Sequence, residues 1–168
     1  MKKANRQPRL KPALTAGDRT IEAAAILILL AMWGIVLFSF SKLPDVVPTH
    51  FDATGKPDAF GDKNSLLLLP VLSTILFVGM TIINNYPHIF NYPVKITPEN
   101  ALRQYTIATR LVRTLKGVIM ILFFIILYFT IRTALQESGG LGFWFLPLFL
   151  IMVYVPVLYY FVLSFRKK

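Results

Sequence analysis

The residues best suited to chemistry lie in one short polar segment. It contains His50, one of two histidines, together with Asp45, Asp52, Asp58 and Asp62, four of the eight acidic residues. An imidazole and carboxylates at this density could bind a divalent cation, with His50, Asp52 and Asp58 as candidate ligands. Their spacing fits neither an EF-hand nor a zinc-hydrolase signature, so turn-capping aspartates and a packed histidine are the alternative interpretation. No Ser–His or Glu–His pair has a recognised catalytic spacing, which favours a non-enzymatic protein.

Prolines and glycines punctuate this segment, which runs from Leu43 to Lys63 between two apolar runs. Its three prolines remove backbone donors and its two glycines permit positive φ, so regular helix is not expected. Apolar residues within it can be buried, so we predict an ordered loop that lies against the membrane face. The residues expected to organise the loop or bind a ligand are His50, Phe51, Asp52, Gly55, Pro57, Asp58 and Lys63.

The composition indicates an integral membrane protein. The 168 residues are 55% hydrophobic, with a mean hydropathy of +0.60 and a net charge of +10. The basic residues flank apolar runs, which is the arrangement that sets membrane orientation, so nucleic acid is not an expected partner. There is no cysteine, which excludes disulfides, thiol catalysis and zinc–thiolate sites.

Four apolar runs predict four membrane spans, at about 22–41, 65–84, 114–135 and 141–165. Residues 1–20 are interpreted as a basic cytoplasmic tail, and residues 21–168 as a four-helix membrane domain. The predicted fold is an all-α integral membrane protein. It is a four-span helical bundle with a long ordered extracytoplasmic loop between spans 1 and 2.

Two helix starts are predicted from capping residues. Thr20–Glu22 precedes the first span, and Thr97–Glu99 supplies the third helix with an N-cap, a proline at its first position and an acidic first turn. Because this start precedes the apolar run from Gly117, the third helix is expected to extend beyond the bilayer at its inner end. Lys116 is expected to reach the interface there.

The orientation follows from the positions of lysine and arginine. The N-terminal tail carries six, the connection 84–116 carries five and the C-terminus three, whereas the polar loop carries Lys56 and Lys63 beside four aspartates. The positive-inside rule therefore places both termini in the cytoplasm and the loop outside, in a bacterial inner membrane.

A docking surface for an intracellular partner is predicted around Asn91, Asn100 and Arg103, on the second connection and the basic face of the third helix. The alternative, which we favour, is a membrane-surface helix whose arginines meet lipid phosphates.

A sequence signature spans Leu43–Lys63: Leu-Pro-x-x-x-Pro-x-His-Phe-x-x-x-Gly-x-Pro-Asp-x-Phe-Gly-x-Lys. It resembles the outer-loop signature of the SdpI-like family of bacterial membrane proteins. The resemblance implies a small integral membrane protein. In the family's immunity member it further implies protection against a secreted peptide toxin outside and capture of a repressor inside.

The function expected from these features is non-enzymatic recognition of a ligand or toxin at the outer face, as an immunity or sensor component. The alternative is a membrane enzyme or transporter that acts on a lipid-linked or small substrate beneath the loop. Apart from the divalent metal considered above, no cofactor is expected. The lipid bilayer is the one certain partner, and the sequence does not indicate an oligomeric state.

Overall fold

Four long α-helices and one β-hairpin form the main elements of residues 7–166. The computed structural model describes residues 7–166, which contain α1 (Ala16–Ser39), β1 (Val46–Phe51), β2 (Pro57–Asp62), α2 (Leu68–Ile83), α3 (Ala101–Ala134) and α4 (Phe145–Phe165). With the short 3₁₀ turns that adjoin α1 and α2, all four helices are long and apolar enough to cross a bilayer. The protein is therefore a four-span helical membrane protein, as predicted.

The first helix starts earlier than predicted. It begins at Ala16, before Thr20–Glu22, because Thr15 and Asp18 form a capping box. The Asp18 carboxylate accepts from the Thr15 amide at 2.8 Å, and the Thr15 hydroxyl accepts from the Asp18 amide at 3.2 Å. These bonds satisfy donors that a helix start leaves unpaired. The last five residues of the predicted tail, 16–20, are thus helical, whereas residues 1–6 lie outside the described residues.

The third helix is the centre of the bundle. It packs against α1, α2, α4 and β1. It begins at Ala101, slightly later than predicted, and Asn100 occupies its N-cap position. By contrast α4 fully buries only Ser164, so the face of α4 that is turned away from α3 is left for lipid.

The two ends of the bundle differ in composition, and we name them by what they carry. The hairpin end carries β1, β2 and the α3–α4 connection; the basic end carries residues 7–15, the connection 84–100 and Arg166. At the basic end α3 is level with α4, since Arg103 Nη2 donates to the Leu163 carbonyl at 2.9 Å. At the hairpin end the ring of Trp144, the N-cap of α4, lies 5.8 Å from the ring of Phe129.

The start of α3 is fixed beside the end of α4. The helix covers 101–110, as predicted. Arg103 and Gln104 donate to the Leu163 and Ser164 carbonyls near the end of α4. The extension of this part of α3 beyond the bilayer stays a prediction.

The predicted loop between spans 1 and 2 contains a strand pair. β1 and β2 are antiparallel, with Val47 opposite Gly61 and His50 opposite Ala59, and the register is interrupted on both sides of His50. Prolines are tolerated here because a two-stranded sheet consists of edges alone. The loop is thus ordered, as predicted, although its strands were not foreseen.

The hairpin is joined to the bundle by an apolar core. Leu43 and Val47 are buried with Met32 and Val36 of α1, Leu66, and Leu127 and Ile131 of α3. Burial of such side chains is worth about 1.5–3 kcal/mol each. The hairpin is therefore part of the folded domain and not a tether between two spans.

Candidate functional site

An exposed, hydrogen-bonded pair of polar side chains lies on the hairpin. His50 Nδ1 and Asp58 Oδ1 are 2.5 Å apart, joining β1 to β2, and their side chains are 67% and 45% exposed. A pair this exposed adds little to stability, so its charge and hydrogen-bonding groups are available to a ligand. The structure thus brings together two of the three candidate metal ligands.

The third candidate, Asp52, has a different role. Its Oδ1 accepts from the Thr54 amide at 2.8 Å, the Thr54 hydroxyl at 2.7 Å and the Lys56 amide at 3.0 Å. The hydrogen bond from the Thr54 side chain is the main cause that lowers the pKa of Asp52 below its ordinary value. Asp52 therefore shapes the turn between the strands. Within residues 7–166, no three His, Asp or Glu side chains are grouped so that they could hold a metal ion.

The base of the hairpin is closed by Lys63. Its amide donates to the Asp45 carbonyl at 3.0 Å, and its Nζ to the Asp45 carboxylate at 2.8 Å. That side-chain bond lowers the pKa of Asp45. The ammonium also lies 5.8 Å from the centre of the Phe40 ring. Lys63 thus joins the end of β2 to both the start of β1 and the end of α1.

The tip of the hairpin is fixed by backbone contacts to the α3–α4 connection. The Gly55 carbonyl accepts from the Leu141 amide at 2.7 Å and from the Gly142 amide at 3.4 Å. Gly55 has φ +78°, and a Cβ there would lie 2.4 Å from the Gly142 nitrogen. A Cβ on Gly140 would in turn come within 2.2 Å of the Gly55 carbonyl oxygen. Only glycine fits at these two positions.

The other two loop residues singled out from the sequence lie where the strands meet the turn. Phe51 ends β1 and Pro57 begins β2, and they are partners in the register. Both are half-buried. Pro57 also approaches the α3–α4 connection, since its Cδ would lie 3.3 Å from a Cβ on Gly140. Six of the seven loop residues therefore lie in the hairpin, and Lys63 directly follows it.

The predicted docking residues at the basic end are in different surroundings. Asn91 is exposed and lines a cavity of about 440 Å³ between α3 and α4. Asn100 is tied to its own connection: Oδ1 accepts from the Thr97 amide, and Nδ2 donates to the Lys95 carbonyl, both at 2.9 Å. Arg103 bonds to the end of α4. Asn100 and Arg103 therefore make structural contacts within the protein that explain why these residue types are found there.

A cluster of buried charges at the basic end was missed in the sequence. The Glu22 carboxylate accepts from Arg113 Nε at 3.0 Å and from Lys116 Nζ at 2.6 Å. Arg113 also donates to Asp18 at 2.9 Å. The Lys116 ammonium further donates to the Thr81 hydroxyl at 2.7 Å. Charges buried in a membrane domain are expensive, and each here is paired.

Lys116 differs most from its expected position. It was expected to reach the interface, yet its side chain is 1% exposed. Its ammonium lies 4.4 Å from the centre of the Phe77 ring, and Glu22 and Thr81 complete its surroundings. Spacing could have indicated the cluster. Asp18 and Glu22 are four residues apart, as Arg113 and Lys116 are three apart, so each pair shares a helix face.

Comparison with known proteins gives a match over the hairpin and its flanking helices. The model of a domain of unknown function, DUF1648, matches residues 27–74. These residues run from Leu27 in α1 through both strands to Thr74 in α2. The matched part is therefore the hairpin and the two spans that carry it.

A relative from the archaeon Archaeoglobus fulgidus is described as an uncharacterized protein. It is 34% identical over 88 residues, which cover 48% of this chain and 48% of the relative. The chain thus spans about half the length of that relative. No solved structure matches the chain. The finer resemblance to the SdpI-like family stays a prediction.

Proposed function

We propose that the protein is a non-enzymatic membrane protein that recognises a ligand at its outer face through the β1–β2 hairpin. The observation that carries this proposal is the exposed His50–Asp58 pair on a hairpin fixed at three places. Its base is closed by Lys63, its strand β1 is buried in the core through Val47, and its tip is bonded to the α3–α4 connection.

Rigidity is what makes such a pair suitable for recognition. A polar pair on a fixed surface loses little conformational entropy when it binds, so more of the contact energy appears as affinity. Phe60, which is 60% exposed on β2, adds an aromatic side chain to the hairpin, of a type enriched in binding sites. The hairpin thus offers both polar and apolar groups.

The finer function is an immunity or sensor component that responds to a secreted peptide. This step rests on the resemblance of Leu43–Lys63 to the SdpI-like signature and on the DUF1648 match across the same residues. A carboxylate of the peptide could pair with His50, and a cationic group of the peptide could pair with Asp58. Capture of a repressor at the basic end is the corresponding role for Asn91.

The alternative, a membrane enzyme or transporter, requires a polar cavity beneath His50. The side chains under the hairpin are instead apolar, among them Met32, Val36 and Leu127. The hairpin therefore rests on a packed surface, which favours recognition over chemistry or transport.

Bacterial survival tests the proposal. A peptide-sensitive bacterium would express the wild type, His50→Ala, Asp58→Ala or the control Ala53→Ser, and be challenged with peptides secreted by bacteria that carry this protein. We expect the wild type and Ala53→Ser to raise survival above the empty vector. The two alanine variants should insert into the membrane in equal amounts but give no protection. Survival with both variants equal to the wild type would contradict the role of the hairpin.

A further inference from the structure

A wide crevice at the basic end is lined by arginines from two helices. It has a volume of about 1000 Å³ and lies between α3 and the last turn of α4. Arg103 and Arg110 come from α3 and Arg166 follows α4, while Leu102, Ile107 and Leu163 supply apolar walls. The crevice therefore combines cationic and apolar surface.

The charge of the crevice is positive after its acidic neighbours are counted. Glu99 lines the rim, where the side chain of Thr97 lowers its pKa and keeps it ionised. Arg110 faces Asp18 at 3.5 Å, but Asp18 is shared with Arg113, which lies closer at 2.9 Å. Arg103 uses one nitrogen for the Leu163 carbonyl. Guanidinium donors thus remain for an anion.

The depth of the crevice matches the headgroup layer of a bilayer. α4 has 21 residues, so it is about 31 Å long at 1.5 Å per residue, close to the thickness of a hydrocarbon core. Its last residues, Leu163 and Phe165, therefore lie at a membrane surface, and Arg166 just beyond it. The bond from Arg103 to Leu163 puts Arg103 at this level. Arg110 lies seven residues further along α3, about 10 Å deeper at 1.5 Å per residue. Helix side chains are directed toward the helix N-terminus, and Arg110 faces Asp18 in the first turn of α1, so its guanidinium is directed back toward the basic end.

We propose that this crevice binds one anionic phospholipid from the leaflet at the basic end. Arg110 and Arg166 hold its phosphate with Arg103 beside them, and Leu102, Ile107 and Leu163 contact the upper part of an acyl chain. Guanidinium suits this role because it binds phosphate oxygens in bidentate fashion. The apolar walls distinguish a lipid from a free phosphate, which shares the same anionic chemistry. The site is remote from the hairpin and does not depend on its function.

Lipid binding can be measured by native mass spectrometry after reconstitution of the full chain. The nanodiscs would hold equal parts of phosphatidylglycerol and phosphatidylcholine. We expect one phosphatidylglycerol to stay bound to the wild type with a preference of about tenfold or more, since each arginine near a headgroup contributes about 1 kcal/mol. The preference should disappear in Arg110→Gln/Arg166→Gln. It should also disappear in Thr106→Trp, which places a bulky side chain in the crevice but keeps its arginines.

A matched control is Arg9→Gln/Lys95→Gln, which removes the same charge from exposed positions at the same end. It should keep the bound lipid. Equal retention of the two lipids by the wild type would overturn the proposal, as would loss of the preference in the control. Displacement of phosphatidylglycerol by millimolar inorganic phosphate would also overturn it, because it would identify a soluble phosphate as the ligand.

Discussion

The two ends of the bundle are held together by different chemistry. At the hairpin end, backbone hydrogen bonds and close glycine contacts fix the structure, and the His50–Asp58 pair remains exposed. At the basic end, buried ion pairs such as Glu22–Lys116 join three helices. The exposed His50–Asp58 pair at the first end is thus free for a partner, whereas the buried pairs at the second end are used in packing.

This difference shows why charge by itself does not locate a binding site. Asp58 and Glu22 are both carboxylates paired with a basic side chain at similar distances. Asp58 could exchange its partner for a ligand at little cost because the pair is in water. Glu22 could not, because Lys116, whose side chain is 1% exposed, would become a buried charge without a carboxylate partner, which is strongly unfavourable.

The largest effect is expected in an experiment that determines which side of the membrane each end of the bundle faces. The chain has no cysteine, so single cysteines can be introduced at the exposed positions Ala53, in the hairpin turn, and Asn91, at the basic end. From the positive-inside rule we expect a membrane-impermeant thiol reagent to label Ala53→Cys in intact cells and Asn91→Cys only after the membrane is opened. The reverse labelling would invert the orientation and place the hairpin inside.

The next effect concerns the buried charges. Glu22→Ala removes the carboxylate from Lys116 and Arg113 while both stay buried, so we expect a loss of about 3–5 kcal/mol in the free energy of unfolding. Unfolding in detergent with increasing denaturant would measure it. The matched control, Glu137→Ala, breaks the exposed pair with Arg132, whose atoms are 2.8 Å apart, and should cost about 1 kcal/mol or less. Similar losses in the two variants would mean that burial does not distinguish the pairs.

Much of the fold could be predicted from the sequence, because an apolar run of about twenty residues has few alternatives to a membrane helix. The spans and the ordered loop follow from that. The strands could not be predicted in the same way, since the prolines and the interrupted register around His50 obscure the alternation of a strand. Their support is also distant: Gly55 bonds to Leu141, which lies on another connection.

The candidate site was partly predictable for a related reason. His50 and Asp58 are eight residues apart, and a folded loop could bring them together. The pairing of Lys116 with Glu22 crosses 94 residues and depends on how α1 and α3 are rotated about their axes. Only packing determines that rotation, so the sequence suggested an interfacial lysine where the structure has a buried one.

A smaller effect is expected where the tip of the hairpin meets the α3–α4 connection. Gly140→Ala would place a methyl group 2.2 Å from the Gly55 carbonyl, so the contact must open, at a cost of about 1–3 kcal/mol. Hydrogen exchange of the Leu141 amide would report the opening as faster exchange. Gly139→Ala is the control, because nothing lies within 4 Å of its Cβ position. If Gly140→Ala leaves that exchange unchanged, the tip is not held by this contact.

The smallest effect sharpens the account of Asp52 in the turn. The pKa of Asp52 is lowered in the folded protein. The ionised carboxylate therefore contributes to stability at pH values above its ordinary pKa of 3.8, and this contribution is lost as the pH falls through the lower pKa of the folded protein. Thr54→Ala removes the main cause of the shift and should raise the pKa of Asp52, as measured by NMR titration of the carboxyl carbon. Asp45 is the internal control, because its pKa is lowered by Lys63 and should not change. If Asp52 titrates identically in both proteins, the Thr54 hydroxyl does not hold the carboxylate. The rigidity of the turn beneath the His50–Asp58 pair would then rest on backbone amides alone.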